Sequence, residues 1–474
     1  MGIFDSIINN LPEVSGPTQK KLSFKEKMKW TGTCLILFFI LGLIPLFGLG
    51  ANALQQFEFL SIILGAEFGS IISLGIGPLV TSSIVLQLLN GSGIVKFDLT
   101  TTEGKKRFQG IQKLLSIFFI IFEASIYVFM GGLAPETQFI GTPIYLELQL
   151  ILVFQLFLGG VIVMFLDEVC SRWGFGSGIS LFIAAGVSKQ IIVRALSWLP
   201  SPTNPGVATG AIPALFQSLA QGDPRTAVLM ISAVLATIIV FLISIYAQSM
   251  KIEIPLSFGR IRGHGIRWPL SFMYTSNIPV ILIAALMANI QLWASLVENW
   301  AQGSSSKVIS FLSVYIFGQT QTANAGYGLV QWVNPPDIVS QIIRGSFTFG
   351  QLGNAAIYML IMILGSVVFS IFWVQTAGMD AKSQAHQIMS SGLQIPGFRK
   401  DQRVLERLLN RYIWPLTIMG GATVGFLAAL ADLSGALSRG TGILLTVMIV
   451  YRLYEDIAKQ HMLDMHPMLR KFIE

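Results

Sequence analysis

The chain has 474 residues, of which 53% are hydrophobic and only 12% are charged. This composition excludes an ordinary soluble globular protein, in which about a quarter of the residues are charged. The net charge of +7 at pH 7 would suit nucleic-acid binding, but the placement of the basic residues favours a membrane protein instead. The two cysteines, Cys34 and Cys170, give neither a disulfide framework nor metal-ligand spacing, and we expect no metal and no cofactor.

Apolar residues recur at helical spacing through residues 1–11, a pattern that predicts a short helix lying on the membrane surface. This start does not resemble a cleavable signal, because Asp5, Pro12 and Glu13 precede any long apolar run.

Ten apolar runs are long enough to cross a bilayer as helices. The sequence therefore predicts an all-α polytopic membrane protein with ten transmembrane spans. The runs lie near residues 31–51, 74–92, 114–133, 146–166, 178–198, 227–248, 272–297, 352–376, 412–431 and 437–456.

An additional apolar piece at 57–71 is too short to span the membrane, and Glu58 and Glu67 interrupt it. The next helix is predicted to start at Pro78, since proline in a first helical turn loses no hydrogen bond. The sequence thus predicts a half-helix that enters the membrane and turns at depth. Non-helical backbone is tolerated there only where protein buries it or water lines it, so we expect an interior cavity.

The basic residues test this order of spans. With the N-terminus in the cytoplasm, 25 of the 31 Lys and Arg residues fall on the cytoplasmic side of the ten spans. Such a bias is the rule in membrane proteins. We therefore predict that both termini are cytoplasmic.

Ten spans divide into two halves of five, which must enter the membrane from opposite sides. Residues 76–80 of span two resemble 277–281 of span seven, and 176–181 of span five resemble 440–445 of span ten. Inverted repeats of this kind place a pathway at their interface. The predicted units are an N-terminal surface helix and leader at 1–22, an N-terminal half at 23–198, an external connection at 199–226, a C-terminal half at 227–456 and a cytoplasmic tail at 457–474.

Three connections between spans are long. Residues 251–269 carry four cations against one acid and are predicted to project as a hairpin, and 377–411 form a second basic loop on the same side. The external loop at 298–351 is nearly uncharged, and we expect it to be partly helical.

Several segments together resemble the SecY family, the pore subunits of the Sec protein-translocation channel, in its archaeal form. They are SFKEKMKWT, IPLFG, LGIGPLVTSSIVLQLL, GSGISLFIAAG, YTSNIPVIL, LADLSGALSRGTGILL and RIRGHG. The resemblance implies two inverted halves around an hourglass pore and a plug helix at about 56–70. It also implies passage of unfolded polypeptides, with sideways release of membrane segments between spans two and three and spans seven and eight.

The resemblance further implies a ring of aliphatic side chains at the pore constriction. Such a collar offers a passing ion nothing to replace its hydration shell, and a narrow apolar constriction can dewet. The alternative is that these side chains face lipid or core, as most isoleucines in membrane helices do. The predicted ring consists of Ile76, Val80, Ile179, Ile183, Ile278 and Leu445.

Other residues and partners follow from the same resemblance. A polar cluster at the lateral gate is predicted from Thr81, Glu123 and Asn277; the less favoured alternative is a helix–helix hydrogen bond with no gating role. The expected partners are a SecE-type subunit and a second small single-span subunit in a heterotrimer, the ribosome, nascent polypeptides with signal sequences, and the lipid bilayer. The predicted ribosome-docking residues are Arg260, Arg262, Arg399 and Lys400.

Two other classes of function share some of these sequence features. An ion-coupled transporter of a small solute shares inverted repeats and broken helices, but it needs ionisable residues at mid-membrane, where only Glu123 and Lys189 are available. An intramembrane serine protease built on Ser177 would lack a base, since all four histidines lie outside the predicted spans. We therefore predict that the protein is not an enzyme.

Overall fold

The computed structural model describes residues 10–17, 22–50, 69–91, 94, 95, 97, 101–200, 207–258, 265–275, 277–303, 311–318, 328–390, 393–394 and 401–465. Three predictions fall wholly or almost wholly outside these residues. They are the surface helix over 1–11, the plug at about 56–70, and the docking residues Arg260, Arg262, Arg399 and Lys400.

The described chain is mainly helical, and each of the ten predicted spans overlaps one long helix. In the first half the helices are α1 (Phe24–Gly42), α2 (Gly77–Gly91), α3 (Thr102–Phe129), α4 (Pro143–Trp173), α5 (Gly178–Leu196) and the short α6 (Ala211–Gln221), with a 3₁₀ turn at Thr137–Phe139. In the second half they are α7 (Pro224–Ser249), α8 (Ile278–Gly303), a π-helix (Leu312–Phe317), α9 (Leu329–Val333), α10 (Ile338–Arg344), α11 (Phe349–Thr376), α12 (Ala381–Ser390), α13 (Gln402–Leu433) and α14 (Gly440–Met465).

Within the described residues, seven of these helices are long and apolar enough to cross a membrane by themselves: α3, α4, α5, α7, α8, α11 and α13. The helices of the other three predicted spans, α1, α2 and α14, are too short or too charged to meet this criterion. Helix α2 has only 15 residues, α1 carries charged residues in its first turns, and α14 carries them in its last turns.

The start of α2 matches the prediction closely. The backbone turns from Gly69 to Ile76, and the helix begins at Gly77 with Pro78 as its second residue. Gly75, just before it, has a φ of +54°, a left-handed conformation that a residue with a Cβ rarely adopts. The break predicted ahead of Pro78 is therefore confirmed.

The basic loop after α7 forms an antiparallel hairpin, as predicted. Strand β1 (Lys251–Phe258) pairs with β2 (Gly265–Ser271), with Lys251 opposite Ser271. A third strand, β3 (Leu393–Gln394), comes from the second basic loop and pairs with the end of β1. The external segment is partly helical, as predicted, since it contains the π-helix, α9 and α10.

Helices α5 and α14, whose starts resemble each other in sequence, run antiparallel. The Arg194 guanidinium, near the end of α5, donates to the Leu437 carbonyl just before α14 at 3.3 Å. The Ser438 hydroxyl lies 3.3 Å from the side-chain oxygen of Gln190. The two helix starts therefore lie at opposite ends of the pair, as inverted halves require.

Helices α11 and α13 form a close interface through small side chains. A Cβ atom on Gly421 would lie 2.3 Å from the Ser370 hydroxyl, and one on Gly425 would lie 2.6 Å from the Met362 carbonyl. Small residues at matching positions let two membrane helices approach until their backbones nearly touch.

Candidate pore and lateral gate

One cluster of packed apolar side chains contains all six residues of the predicted ring. Ile76, Val80, Ile183 and Leu445 are buried members, with Ile76 only 1% exposed. Ile179 and Ile278 are partly buried and pack against the same cluster. Four helices that are far apart in the sequence thus deliver these side chains to one region.

Each ring residue stands at or near the start of its helix. Ile278 is the first residue of α8, Ile179 is the second of α5, and Ile76 immediately precedes α2. Ile179 and Ile183 are one turn apart and share a helix face, and Leu445 lies in the second turn of α14. The positions of these six side chains therefore depend on where the four helices begin.

A cavity of about 460 Å³ borders the ring. Val80, Ile179 and Ile278 line one part of it. Ser83 and Gln87 of α2 and Gln109 and Gln112 of α3 add polar groups to the lining. Polar groups of this kind can hold water beside an apolar constriction.

Ile281 was not part of the predicted ring, but it lines the same cavity and is 7% exposed. It stands one helical turn beyond Ile278 on α8. The sequence offered a signal for it, because the two isoleucines are three residues apart and share a helix face.

A chain of polar side chains connects α8, α2 and α3. The side-chain amide of Asn289 donates to the Thr81 hydroxyl oxygen at 2.9 Å, and the Thr81 oxygen lies 3.0 Å from the Glu123 carboxylate. All three residues are buried. An ionisable side chain inside a membrane is costly unless it finds such partners.

The structure places Thr81 and Glu123 together, as predicted, but it does not place Asn277 with them. Asn277 is buried just before α8, twelve residues ahead of Asn289, which is about 18 Å along a helix axis. Sequence reasoning missed Asn289 because α8 offers two buried asparagines, and only the position of α2 decides which one faces Thr81.

The strands that precede the two basic loops pair with each other in the sheet. Ser257 pairs with Gln394, and Phe258 pairs with Leu393. Residues 259–264 follow directly after the first of these strands, and residues 395–400 follow the second.

Ser177 and Lys189, the candidate nucleophile and base for enzyme chemistry, are far apart along one helix. Ser177 is the residue before α5, and Lys189 is twelve residues further along that helix. Within the part of the chain that the structure describes, no group of three His, Cys, Asp or Glu side chains is placed to hold a metal ion.

Comparisons with known proteins agree with this geometry. The SecY family profile matches residues 70–454, and the profile of the plug domain of Sec61p matches residues 36–69. The protein translocase subunit SecY of Methanothermobacter thermautotrophicus is 44% identical, over 99% of this chain and 98% of the relative.

Two solved structures are similar along almost the whole chain. One is a protein-conducting channel, with 41% identity, a TM-score of 0.80 and coverage of 97% of this chain and 98% of the other. The second is Sec61 in the canine ribosome–channel complex from the endoplasmic reticulum, with 40% identity, a TM-score of 0.77 and the same coverage. The protein is thus a channel-forming translocase subunit and not an enzyme, and the chain belongs to the SecY family.

Proposed function

We propose that unfolded polypeptides cross this protein through the apolar ring and that the six predicted residues, together with Ile281, seal it at rest. The observation that carries the proposal is that aliphatic side chains from the starts of α2, α5, α8 and α14 pack in one apolar cluster beside a cavity that polar side chains help to line. Aliphatic side chains exclude hydrated ions, yet they adapt to a passing chain of any sequence.

We further propose that membrane segments leave sideways between α2 and α3 on one side and α8 and α11 on the other. Helix α2 packs against both α8 and α11 across this boundary. The Asn289–Thr81–Glu123 chain acts as a polar latch there, since it joins helices of the two halves. Asn277 was assigned to the gate by the family resemblance alone, and the latch proposed here does not include it.

A SecE-type subunit would fit a groove of about 640 Å³ on the outside of the bundle. Helices α5, α7 and α14 form the groove, and its lining is almost entirely apolar. Among the seven described helices that are long and apolar enough to cross a membrane, α7 is the least covered, with only 11% of its most apolar stretch buried. A single apolar helix is the occupant that this surface favours inside a bilayer, and a second small subunit would complete the heterotrimer.

The ribosome is the partner proposed for the two basic loops. Arg260 and Arg262 belong to one loop, and Arg399 with Lys400 to the other; the pairing of β1 with β3 brings the strands before them together. Ribosomal RNA is a dense polyanion, so docking should weaken as salt rises. The similar Sec61 structure is part of a ribosome–channel complex. The chain would lie in the cell membrane with both termini in the cytoplasm, as the distribution of its basic residues predicts.

Crosslinking a stalled secretory chain tests the pore. In a background with Cys34 and Cys170 replaced by alanine, the substitutions Ile76→Cys, Ile278→Cys and Ile281→Cys should each give adducts with a cysteine in the stalled chain. Leu235→Cys and Leu242→Cys are the matched controls, since both side chains are more than half exposed on the outside of α7.

Adducts at Ile281 but not at Ile278 would place the constriction one turn further along α8. Absence of adducts at all three ring positions, or equal adducts at the α7 controls, would refute the proposed path.

A further inference from the structure

Two partly buried aspartates occupy equivalent places in the two halves. Asp167 lies near the end of α4, and its carboxylate accepts a hydrogen bond from the Ile179 N–H at 2.9 Å. Asp432 lies near the end of α13, and its carboxylate accepts one from the Thr441 N–H at 2.8 Å. Ile179 and Thr441 are each the second residue of the next helix, α5 and α14.

Each carboxylate caps the first turn of the next helix. Ser177 precedes α5 but makes no side-chain cap hydrogen bond to it, so Asp167 satisfies the first turn from the preceding helix. The Thr441 hydroxyl also donates to Asp432, and the Tyr358 hydroxyl of α11 donates to it at 2.6 Å. A negative charge at a helix start also meets the positive end of the helix dipole.

The backbone geometry at both places is independent evidence of a close fit. A Cβ atom on Gly178 would lie 2.6 Å from the Asp167 Cα, and one on Gly440 would lie 2.0 Å from the carbonyl carbon of Ala431, beside Asp432. At both sites a helix begins with a glycine pressed against the turn that carries the aspartate. The two starts lie at opposite ends of the antiparallel pair α5 and α14.

Both starts lead directly into the predicted ring. Ile179 itself donates to Asp167, and Ile183 follows one turn later. Leu445 stands four residues after Thr441, one turn along α14. A shift of either helix start would therefore displace ring side chains.

We propose that Asp167 and Asp432 are a matched pair of positioning residues, each fixing the first turn of one ring helix and thereby the width of the resting constriction. The inference rests on the proposed role of the ring. It adds to that role two residues that hold the seal in place, one at the start of α5 and one at the start of α14.

The test measures the resting ion conductance of the full chain in planar bilayers. Asp167→Ala and Asp432→Ala should each raise it about fivefold, the factor by which losing a side-chain cap typically shifts a helix equilibrium. Asp167→Asn and Asp432→Asn keep an oxygen that can accept the backbone N–H, so they should restore most of the seal.

The matched controls are Asp223→Ala and Asp401→Ala. These aspartates cap α7 and α13, accepting from Arg225 N–H at 3.2 Å and Arg403 N–H at 2.9 Å, and those helices hold no ring residue. They should leave the conductance unchanged. Equal leak from all four alanine variants would overturn the proposal, because it would show only general helix weakening.

The double variant Ile76→Ser with Ile183→Ser separates this inference from the ring itself. If it leaks while Asp167→Ala and Asp432→Ala conduct like the unmodified protein, the aspartates do not set the seal and the ring stands. If the double variant does not leak, the ring fails and this inference fails with it. Should the alanine variants not fold, Asp167→Glu and Asp432→Glu decide: a leak supports the proposal, and unchanged conductance overturns it.

Discussion

The side-chain amide of Asn289 donates a hydrogen bond to the Thr81 hydroxyl oxygen over 2.9 Å, and this contact joins α8 of the second half to α2 of the first. Because Thr81 also contacts Glu123 of α3, one short polar chain ties together three of the four helices that border the proposed gate.

The first prediction concerns this latch. Asn289→Ala removes the donor from α8 and should favour the open gate by about threefold, since one interhelical hydrogen bond in a membrane protein contributes about 0.6 kcal/mol. The measurement is translocation of a precursor with a weakened signal sequence into vesicles that contain the purified complex. Asn277→Ala should have no such effect; the reverse pattern would show that Asn277 holds the gate.

The second prediction concerns the close contact between α11 and α13. Gly425→Ala would place a Cβ 2.6 Å from the Met362 carbonyl, and overpacking of this kind costs about 1–3 kcal/mol. Gly353→Ala, on α11 with nothing within 4 Å of the added atom, should be neutral or stabilise by up to about 1 kcal/mol.

A thiol-reactive dye that labels the buried Cys34 and Cys170 on unfolding measures the effect of both glycine substitutions. An unchanged unfolding temperature for Gly425→Ala would contradict the tight interface.

The third prediction concerns the ion pair between the hairpin and α14. Lys251 Nζ donates to the Glu455 carboxylate at 2.7 Å, and this bond raises the pKa of Lys251 above its ordinary value of 10.5. Because the folded-state pKa of Lys251 is raised, the ion pair contributes its full stabilising free energy below about pH 10.5. That contribution is lost as the pH rises through the folded-state pKa of Lys251.

Because the Lys251 side chain is 39% exposed, solvent screens this ion pair and its coupling free energy should be only about 0.2–1 kcal/mol. A double-mutant cycle with Lys251→Ala and Glu455→Ala measures it at low and high salt. A coupling that does not weaken in salt would argue against a surface ion pair.

The fourth prediction concerns the segment at 10–17. Arg172 of α4 pairs with Glu13 at 3.0 Å and donates to the Val14 carbonyl, and the Trp173 indole donates to the Ser15 carbonyl at 2.9 Å. Arg172→Ala should free this segment, so a protease specific for glutamate should cleave after Glu13 up to about fivefold faster. Lys382→Ala on α12 removes the same charge elsewhere and should leave cleavage unchanged. Equal rates in both variants would show that Arg172 does not hold the segment.

Much of the architecture could be predicted from local properties of the chain. A helix that crosses a bilayer needs a long apolar run, so all ten spans were visible as such runs. Pro78 marked the start of α2 because its pyrrolidine ring fixes φ and it has no backbone N–H. Both are properties of the residue itself. The basic loop at 251–269 was readable as a hairpin from residues that are neighbours in sequence.

Contacts between residues that are far apart in the sequence could not be predicted in this way. Nothing in the sequence distinguishes Asn277 from Asn289 as the partner of Thr81, because that choice depends on the rotation and depth of α8 relative to α2. Likewise, Asp167 and Asp432 each follow directly after a predicted apolar run, and only the folded chain shows that each meets the start of the next helix. The sequence alone determined which segments are helices and in what order they cross the membrane, since those properties depend on composition and length; the tertiary structure decided which polar groups pair, because a buried polar group must find its partner in three dimensions.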